Sequence, residues 1–140
     1  MKVFIDSDVL MDFYQAREGA GLAEAILALS ENHKIEGVTS ILCISNIAYL
    51  FEKFKIIPKK AIPSAMGALS DVLGILSIGE SQFKTAVGMD HTDFEDSLEM
   101  AAAKDGGCDY IITNNIKDYR ISTVPVLTPG EFLKGIGLTV

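Results

Sequence analysis

Short apolar runs alternate along this chain with longer segments in which apolar residues recur every three or four positions. The runs predict five β-strands, at 1–5, 34–39, 75–78, 109–113 and 124–127. The segments between them have helical spacing and predict helices at 7–17, 22–30, 40–54, 63–74, 80–88 and 93–104, with a last helix after residue 128. Strands that alternate with helices indicate an α/β fold with a parallel sheet and right-handed crossovers.

The helix starts carry capping signals. Ser7 or Asp8 can cap the first helix, and Thr39 or Ser40 the third. The segment 128–131, Thr-Pro-Gly-Glu, is a capping box with proline at the first helical position. We find no internal repeat, low-complexity tract or linker, so we expect residues 1–140 to form a single domain.

The composition of the chain indicates where the protein resides in the cell and whether its cysteines are reduced. The longest apolar runs are too short to cross a membrane, and Asp6, Asp8 and Asp12 interrupt the N-terminal segment, which argues against a signal peptide. We therefore expect a soluble cytoplasmic protein. Cys43 and Cys108 lie far apart and flank apolar segments, so we expect buried free thiols rather than a disulfide or a zinc site.

The charge balance is acidic, with 19 acidic against 12 basic residues and a net charge of −7. This disfavours broad electrostatic attachment to nucleic acid, which needs many Lys and Arg contacts. It does not exclude an enzyme that meets phosphates through bound cations, because a cation reverses the local sign of charge.

Polar residues are concentrated where the predicted strands end. Asp6 follows the first strand, at the edge of a parallel sheet where ligands bind. A carboxylate there is a natural partner for a hard cation such as Mg²⁺. The alternative is that Asp6 only caps a helix.

A second acidic cluster opens the helix at 93–104. Asp93 and Asp96 are three residues apart and therefore neighbours on the helix surface, along the edge of an apolar face formed by Phe94, Leu98 and Ala101–Ala102. Chain direction places this helix start at the same sheet edge as Asp6. Acids in a first helical turn can also do no more than complement the helix dipole.

A third cluster, Thr113 to Tyr119, leaves the fourth strand at that same edge. Asn and Asp are common in any loop, so this cluster alone is weak evidence. Carboxylates that converge repel one another unless a cation neutralises them. The three clusters together predict one or two metal ions that activate water for in-line attack on a phosphodiester.

The motifs DSDVLMD, DFEDSLEMAAA, CDYIITNNIKDY and VPVLTPGEFL, in this order over nearly the whole chain, resemble the PIN domain, in the variety found in VapC-type toxins. The resemblance implies a three-layer α/β/α sandwich with a five-stranded parallel sheet of order 3-2-1-4-5. It also implies RNA cleavage dependent on Mg²⁺ or Mn²⁺, commonly by the toxin of a toxin–antitoxin pair, and a homodimer.

By position, Asp6 resembles the family's first metal-binding acid and Asp96 its third. Thr113 resembles the Thr or Ser near the metal, and Asp93 an auxiliary acid.

The chain departs from the family pattern at two acids. Asn46 stands where the helix after the second strand usually carries Glu, and Glu52 lies on a different helical face. Asn115 falls closest to the fourth acid, with Asp118 available from the same loop. Amide oxygens can hold a hard cation but bring no charge, so these exchanges predict weaker metal binding.

The basic residues have two possible roles. Lys117 and Arg120 lie beside the predicted site and are candidates for contact with substrate. Lys53, Lys55, Lys59 and Lys60 form either a solvated face or a contact surface for the RNA backbone. Tyr14, Tyr49, Phe51 and Phe54 have helical spacing that favours core or dimer surface over base stacking.

Two alternatives to a PIN-type ribonuclease remain. The first is a degenerate PIN module that binds RNA or a protein without cleaving, which the two Asn residues motivate. The second is a phosphatase of the haloacid-dehalogenase type, because Asp6 and Asp8 mimic its nucleophile and acid with Thr39 in its second motif. The chain is short for that fold, and the DFED and TPGEFL segments have no place in it.

Overall fold

A computed structural model of the chain describes residues 1–91 and 93–137; the last three residues of the predicted domain, 138–140, and Thr92 lie outside the described part. The sheet has five parallel strands in the order β3-β2-β1-β4-β5. The strands are β1 (Lys2–Ile5), β2 (Glu36–Ser40), β3 (Gly74–Leu76), β4 (Tyr110–Ile112) and β5 (Val126–Leu127). The predicted fold and strand order are therefore confirmed.

Helices cover both faces of the sheet. In the described residues they are α1 (Ser7–Tyr14), α2 (Ala20–Glu31), α3 (Ile41–Lys53), α4 (Ile62–Ser70), α5 (Glu80–Val87), α6 (Phe94–Asp105) and α7 (Pro129–Gly135), with short 3₁₀ helices at Lys59–Ala61 and Ile116–Tyr119. None of the helices in this part of the chain is long and apolar enough to span a membrane.

Alternate side chains of β1 and β4 enter two separate cores because successive residues of a strand point to opposite faces. Val3, Ile5 and Ile112 pack in the larger core, with apolar side chains of α1, α2, α3, α4 and α7. Phe4 and Ile111 pack in the smaller one, where α6 contributes Met100 and Ala103. Strands β1 and β4 are thus buried on both sides, as expected of inner strands in a parallel sheet.

Three helices begin at the sheet edge with a side-chain cap; Ser40 was predicted, whereas α1 is capped by Asp6 and not by Ser7 or Asp8. Asp6 caps α1, Ser40 caps α3 and Asp93 caps α6, each accepting a hydrogen bond from a backbone N–H of the first turn. Thr128 and Glu131 form the predicted capping box of α7. Each cap sets the residue at which a strand or loop passes into a helix. The caps at Asp6, Ser40 and Asp93 therefore define the edge of the sheet at which polar side chains collect.

The structure corrects two predictions from the pattern. The segment 114–123, predicted as a loop, contains the 3₁₀ helix Ile116–Tyr119, which buries Tyr119. The predicted apolar face of α6 is partly wrong: Ala101 and Ala102 are buried, but Phe94 is 44% exposed and packs edge-on against Phe83 of α5, with ring centroids 5.8 Å apart. The buried face of α6 instead includes Ser97 and Glu99, two polar residues that the apolar pattern does not reveal.

Candidate active site

Polar residues from three neighbouring strands meet at the carboxyl edge of the sheet. Asp6 follows β1, Ser40 ends β2 and Thr113 follows β4. The strands bring these residues together because Ile5 pairs with Ile112 and the backbone N–H of Asp6 donates to the Ile112 carbonyl at 3.0 Å. The edge of the sheet thus assembles residues that are up to 107 positions apart.

Asp6 is held through both carboxylate oxygens. Its Oδ1 accepts a hydrogen bond from the backbone N–H of Ser7 at 2.8 Å, and its Oδ2 accepts one from Thr113 Oγ1 at 2.9 Å. Burial raises the pKa of Asp6, and these two hydrogen bonds act in the opposite direction. The cap that anchors α1 therefore also orients a buried carboxylate toward the pocket, so the two readings of Asp6 are compatible.

Beneath Asp6 lies a second carboxylate, that of Glu99 on α6, which is 2% exposed. Ser40 Oγ donates to its Oε1 at 2.7 Å, and Cys43 Sγ donates to its Oε2 at 2.6 Å. Cys43 Sγ also lies 3.9 Å from Oδ1 of Asp6. One ligand atom each of Asp6, Cys43 and Glu99 lies within 4.8 Å of the others, a grouping that sequence analysis missed.

Asp96 lies one helical turn before Glu99, at the rim of the pocket. Burial raises its pKa to about 7, and the negative charges of Asp93 and Asp6 add to this effect. Asp93 is exposed, and its Oδ1 accepts a hydrogen bond from the backbone N–H of Asp96 at 3.1 Å. Asp93 therefore contributes a helix cap and a negative charge at the rim.

Both asparagines at the predicted acid positions use their amide nitrogen within the protein. Asn46 Nδ2 donates to Ser7 Oγ at 3.2 Å, and Asn115 Nδ2 donates to Asp8 Oδ2 at 2.8 Å. The backbone N–H of Asn115 also donates to Thr113 Oγ1 at 3.1 Å. Both residues thus lie beside the site, and their hydrogen bonds help to fix the side chains of Ser7 and Asp8 on α1.

Next to the site, a network of hydrogen bonds and one ion pair involves Asp8 and Asp12 of α1. Asp8 Oδ2 accepts from the backbone N–H of Asn114 at 3.2 Å, and Asp12 Oδ2 accepts from Asn114 Nδ2 at 2.7 Å. Asp12 also lies 3.5 Å from the Arg17 guanidinium. Burial and the negative charge of Asp6 raise the pKa of Asp8 to about 7. These contacts tie the loop after β4 to α1.

The 3₁₀ helix Ile116–Tyr119 brings Tyr119 next to the site. The Tyr119 side chain is 1% exposed, and its hydroxyl forms no hydrogen bond of normal geometry with any described residue. Burial raises its pKa, as do the nearby negative charges of Asp6 and Glu99. Asp118 is exposed, and its charge raises the pKa of both Asp6 and Asp96.

The remaining basic and aromatic candidates lie on the surface. Lys117 and Arg120 are exposed at the ends of the 3₁₀ helix beside the pocket. The lysines of the basic patch are exposed as well, and Lys59 pairs with Glu52 at 3.3 Å. Phe51 is buried, whereas Tyr49 and Phe54 are more than half exposed.

The donor set fits a divalent cation. Carboxylate oxygens suit Mg²⁺ and Mn²⁺, and the buried negative charges at this edge have no basic partner among the hydrogen bonds and ion pairs of the described residues, apart from Arg17 beside Asp12. The unpaired Tyr119 hydroxyl leaves a further buried donor that a cation-bound water could engage. A parallel α/β sandwich with acids grouped at the strand ends thus offers a site for a divalent cation.

The comparison with protein families identifies this architecture. A family model described as PIN domain matches residues 2–117. The chain therefore belongs to the PIN domain family. The alternative of a haloacid-dehalogenase phosphatase is rejected.

Named relatives extend the comparison. The chain is 30% identical over 138 residues to Ribonuclease VapC1 of Aquifex aeolicus (strain VF5), covering 94% of this chain and 92% of that one. Among solved structures, VapBC2 of Rickettsia felis bound to a DNA fragment from its promoter aligns with a TM-score of 0.71 at 14% identity, covering 91% of this chain and 98% of the other. A toxin–antitoxin complex from Klebsiella pneumoniae aligns with a TM-score of 0.67 at 18% identity, covering 92% and 98%. These two likenesses show the same fold.

Proposed function

We propose that this protein is an endoribonuclease of PIN type that depends on Mg²⁺ or Mn²⁺ and acts as the toxin of a toxin–antitoxin pair. The observation that carries the proposal is the Asp6 carboxylate at the carboxyl edge of the sheet, oriented by Thr113, with Asp96 near enough for the charge of Asp6 to raise its pKa. The ribonuclease relative, which spans nearly the whole chain, supports RNA as the substrate.

Asp6 and Asp96 would hold the cation, with amide and carboxylate oxygens of Asn46, Asn115 and Asp118 as further donors and Asp93 as an auxiliary charge. When bound, the cation supplies a water of lowered pKa for attack on a phosphodiester. Thr113 keeps the Asp6 carboxylate in one orientation through the bond to Oδ2. Burial reduces the contact of the Asp6 carboxyl with bulk water, which strengthens electrostatic interactions at this group.

Substrate approach requires positive charge at the rim, because the chain carries a net charge of −7. The exposed side chains of Lys117 and Arg120 supply it beside the pocket. Phosphate contacts of this kind position the RNA backbone and carry no sequence information.

The direct test is cleavage of structured RNA by the purified protein with and without magnesium. We expect cleavage that EDTA abolishes and that Asp6→Asn reduces at least about a hundredfold. Asp71→Asn, an exposed acid at the end of α4, is the matched control and should cleave normally. Equal cleavage by the wild type and Asp6→Asn would indicate contamination and reject the proposal.

The proposed partner is an antitoxin protein, as in the toxin–antitoxin complexes that share this fold. A groove of about 470 Å³ lies between α1, α2 and α4 and fits an apolar segment of such a partner. Its lining is mostly apolar, with two acids on one side; the lining residues are Phe13, Tyr14, Glu24, Leu27, Ala28, Glu31, Ala65, Ala68, Leu69 and Val72. This composition favours an amphipathic helix with basic residues next to its apolar face.

A homodimer is also part of the proposal. Tyr49 on α3 and Phe54, the residue that ends it, are 59% and 53% exposed, and the Lys53 ammonium lies 5.9 and 5.4 Å from their ring centroids. Exposed aromatic groups of this kind are enriched in interfaces between subunits. Light scattering should give a dimer for the wild type and a monomer for Tyr49→Glu.

The second candidate function is RNA or protein binding without cleavage. It is favoured by Asn46 and Asn115, which stand where the resemblance to the family predicts acids and whose amide groups donate to Ser7 and Asp8. Calorimetric titration with Mn²⁺ separates the two functions. Binding that Asp6→Asn removes supports the nuclease, whereas RNA binding without any Mn²⁺ binding supports the non-cleaving module.

A further inference from the structure

Glu99 and Cys43 lie directly beneath Asp6, and the proposed mechanism uses neither. Glu99 is 2% exposed and Cys43 is 3% exposed. A buried carboxylate is costly unless it is neutralised or fully hydrogen-bonded. Glu99 accepts hydrogen bonds only from the neutral groups of Ser40 and Cys43, so its charge has no cationic partner among the described residues.

The thiol lies between two carboxylates. Cys43 Sγ is 2.6 Å from Glu99 Oε2 and 3.9 Å from Asp6 Oδ1, and at present its proton lies toward Glu99. A cation that entered between Sγ and the two oxygens would replace that proton, which leaves to solvent as the thiolate forms. Modest side-chain rotation would be needed to separate sulfur and oxygen to the spacing of ligands on one ion.

A separate observation also points to a ligand at this position. The Tyr119 hydroxyl is buried and forms no hydrogen bond of normal geometry with the described residues, although it lies near enough to Asp6 to lower the pKa of that carboxyl. Native structures rarely leave a buried hydroxyl unpaired, and a bound ion or its water commonly explains one. The hydroxyl would donate to a water held by the cation.

We propose that Cys43 and Glu99 complete the cation site under Asp6, and that the thiol makes this site prefer a thiophilic divalent cation such as Zn²⁺ or Co²⁺ to Mg²⁺. Thiolate ligands select such ions, whereas sites with only oxygen ligands favour Mg²⁺ and Mn²⁺. The inference rests on the proposed function in that both place a cation against Asp6. It differs from that function in adding two ligands that the proposed mechanism leaves unused, the carboxylate of Glu99 on α6 and the thiol of Cys43 on α3.

Cobalt tests the thiol directly, because a Co²⁺–thiolate bond gives a charge-transfer band in the near ultraviolet. The chain has two cysteines, and Cys108 lies before β4 at the opposite edge of the sheet. We expect the reduced wild type and Cys108→Ser to show the band with Co²⁺, and Cys43→Ser to lose it. If Cys43→Ser fails to fold, Cys108→Ser decides alone, since Cys43 is then the only thiol.

Calorimetric titration tests Glu99 without any activity assay. We expect Glu99→Gln to weaken Co²⁺ binding at least about tenfold, and Cys43→Ser to weaken Co²⁺ and Zn²⁺ far more than Mg²⁺. Glu95→Gln is the matched control, because Glu95 is an exposed acid one turn earlier on α6. Its effect should stay below about threefold. Circular dichroism checks that each variant is folded.

The outcomes separate this inference from the proposed function. Absence of the Co²⁺ band in Cys108→Ser, or unchanged affinities in both Cys43→Ser and Glu99→Gln, overturns the inference. Magnesium-dependent RNA cleavage that requires Asp6 would still stand in that case. A Cys43-dependent band in a protein that cleaves no RNA would support the thiol site and count against the proposed function.

Discussion

Thr113 Oγ1 donates a 2.9 Å hydrogen bond to Oδ2 of Asp6, although 107 positions separate the two residues. The contact follows from the sheet, because Ile5 and Ile112 are paired neighbours and each is followed directly by one of these polar residues. The same hydroxyl accepts from the backbone N–H of Asn115, so it also fixes the loop that leaves β4. Thr113 therefore links Asp6, the proposed metal-binding acid, to the loop of the candidate site.

Replacing Thr113 with valine should lower the RNA cleavage rate about tenfold or more, since a hydrogen bond to a charged group contributes roughly 1.5–3 kcal/mol. Thr113→Ser keeps the hydroxyl and should retain most of the rate. We expect the loss in kcat rather than in KM, because the hydroxyl orients Asp6 and does not face the solvent. Equal rates for Thr113→Val and Thr113→Ser would show that this bond does not matter for cleavage.

Stability of the cation-free protein should fall as pH rises. Burial raises the pKa of Glu99 and of Asp96 to about 7, above the ordinary value of each carboxyl. Such a group stabilises the fold fully below its unfolded pKa, and this contribution is lost as the pH rises through the folded pKa. Between about pH 5 and about pH 8, the Tm measured in EDTA should therefore drop by on the order of 5 °C.

The matched variant for the pH dependence is Glu99→Gln, which removes one titrating acid and should flatten the curve. A saturating divalent cation should raise the Tm more at high pH than at low pH, because it competes with protons for the same carboxylates. A cation-free Tm that rose steadily over this interval would contradict the assignment.

The capping box of α7 should contribute measurably to folding. Thr128 Oγ1 accepts from the backbone N–H of Glu131 at 3.2 Å, and Glu131 Oε1 accepts from the backbone N–H of Thr128 at 3.0 Å. Thr128→Ala should lower the free energy of unfolding by about 1 kcal/mol, with Thr128→Ser close to the wild type. Urea denaturation measures both, and a loss below about 0.3 kcal/mol would argue that α7 does not depend on this cap.

The groove between α1, α2 and α4 should be the antitoxin site. Ala68→Arg places a bulky cation in it and should weaken binding of the cognate antitoxin at least about tenfold, without changing RNA cleavage. Ser81→Arg on α5 adds the same side chain at an exposed position away from the groove and serves as control. If both variants bound the antitoxin like the wild type, the partner would dock elsewhere.

Much of the fold followed from the sequence because its signals are local. Apolar runs fixed the strands, and caps such as Ser40 and Thr128 fixed where helices begin. Asp6 and Thr113 were found because each directly follows a buried strand, a position that topology assigns to one edge of the sheet.

Glu99 and Tyr119 were not found, for a physical reason. Both are polar residues in a buried environment, and a pattern that assigns polar residues to solvent places them outside the core. Phe94 is the opposite case: the pattern assigned this apolar residue to the buried face of α6, but it lies exposed against Phe83. Only the packing of α6 and of the 3₁₀ helix against the sheet shows which side chains reach the pocket.

The most direct test of the account is a crystal structure of the protein soaked with Mn²⁺, read from anomalous scattering. The account predicts a peak at about 2.0–2.6 Å from a carboxylate oxygen of Asp6, with a carboxylate of α6 as a second ligand. Asp6→Asn should lose the peak. Anomalous signal only at sites remote from Asp6, under conditions in which the wild type cleaves RNA, would contradict the account.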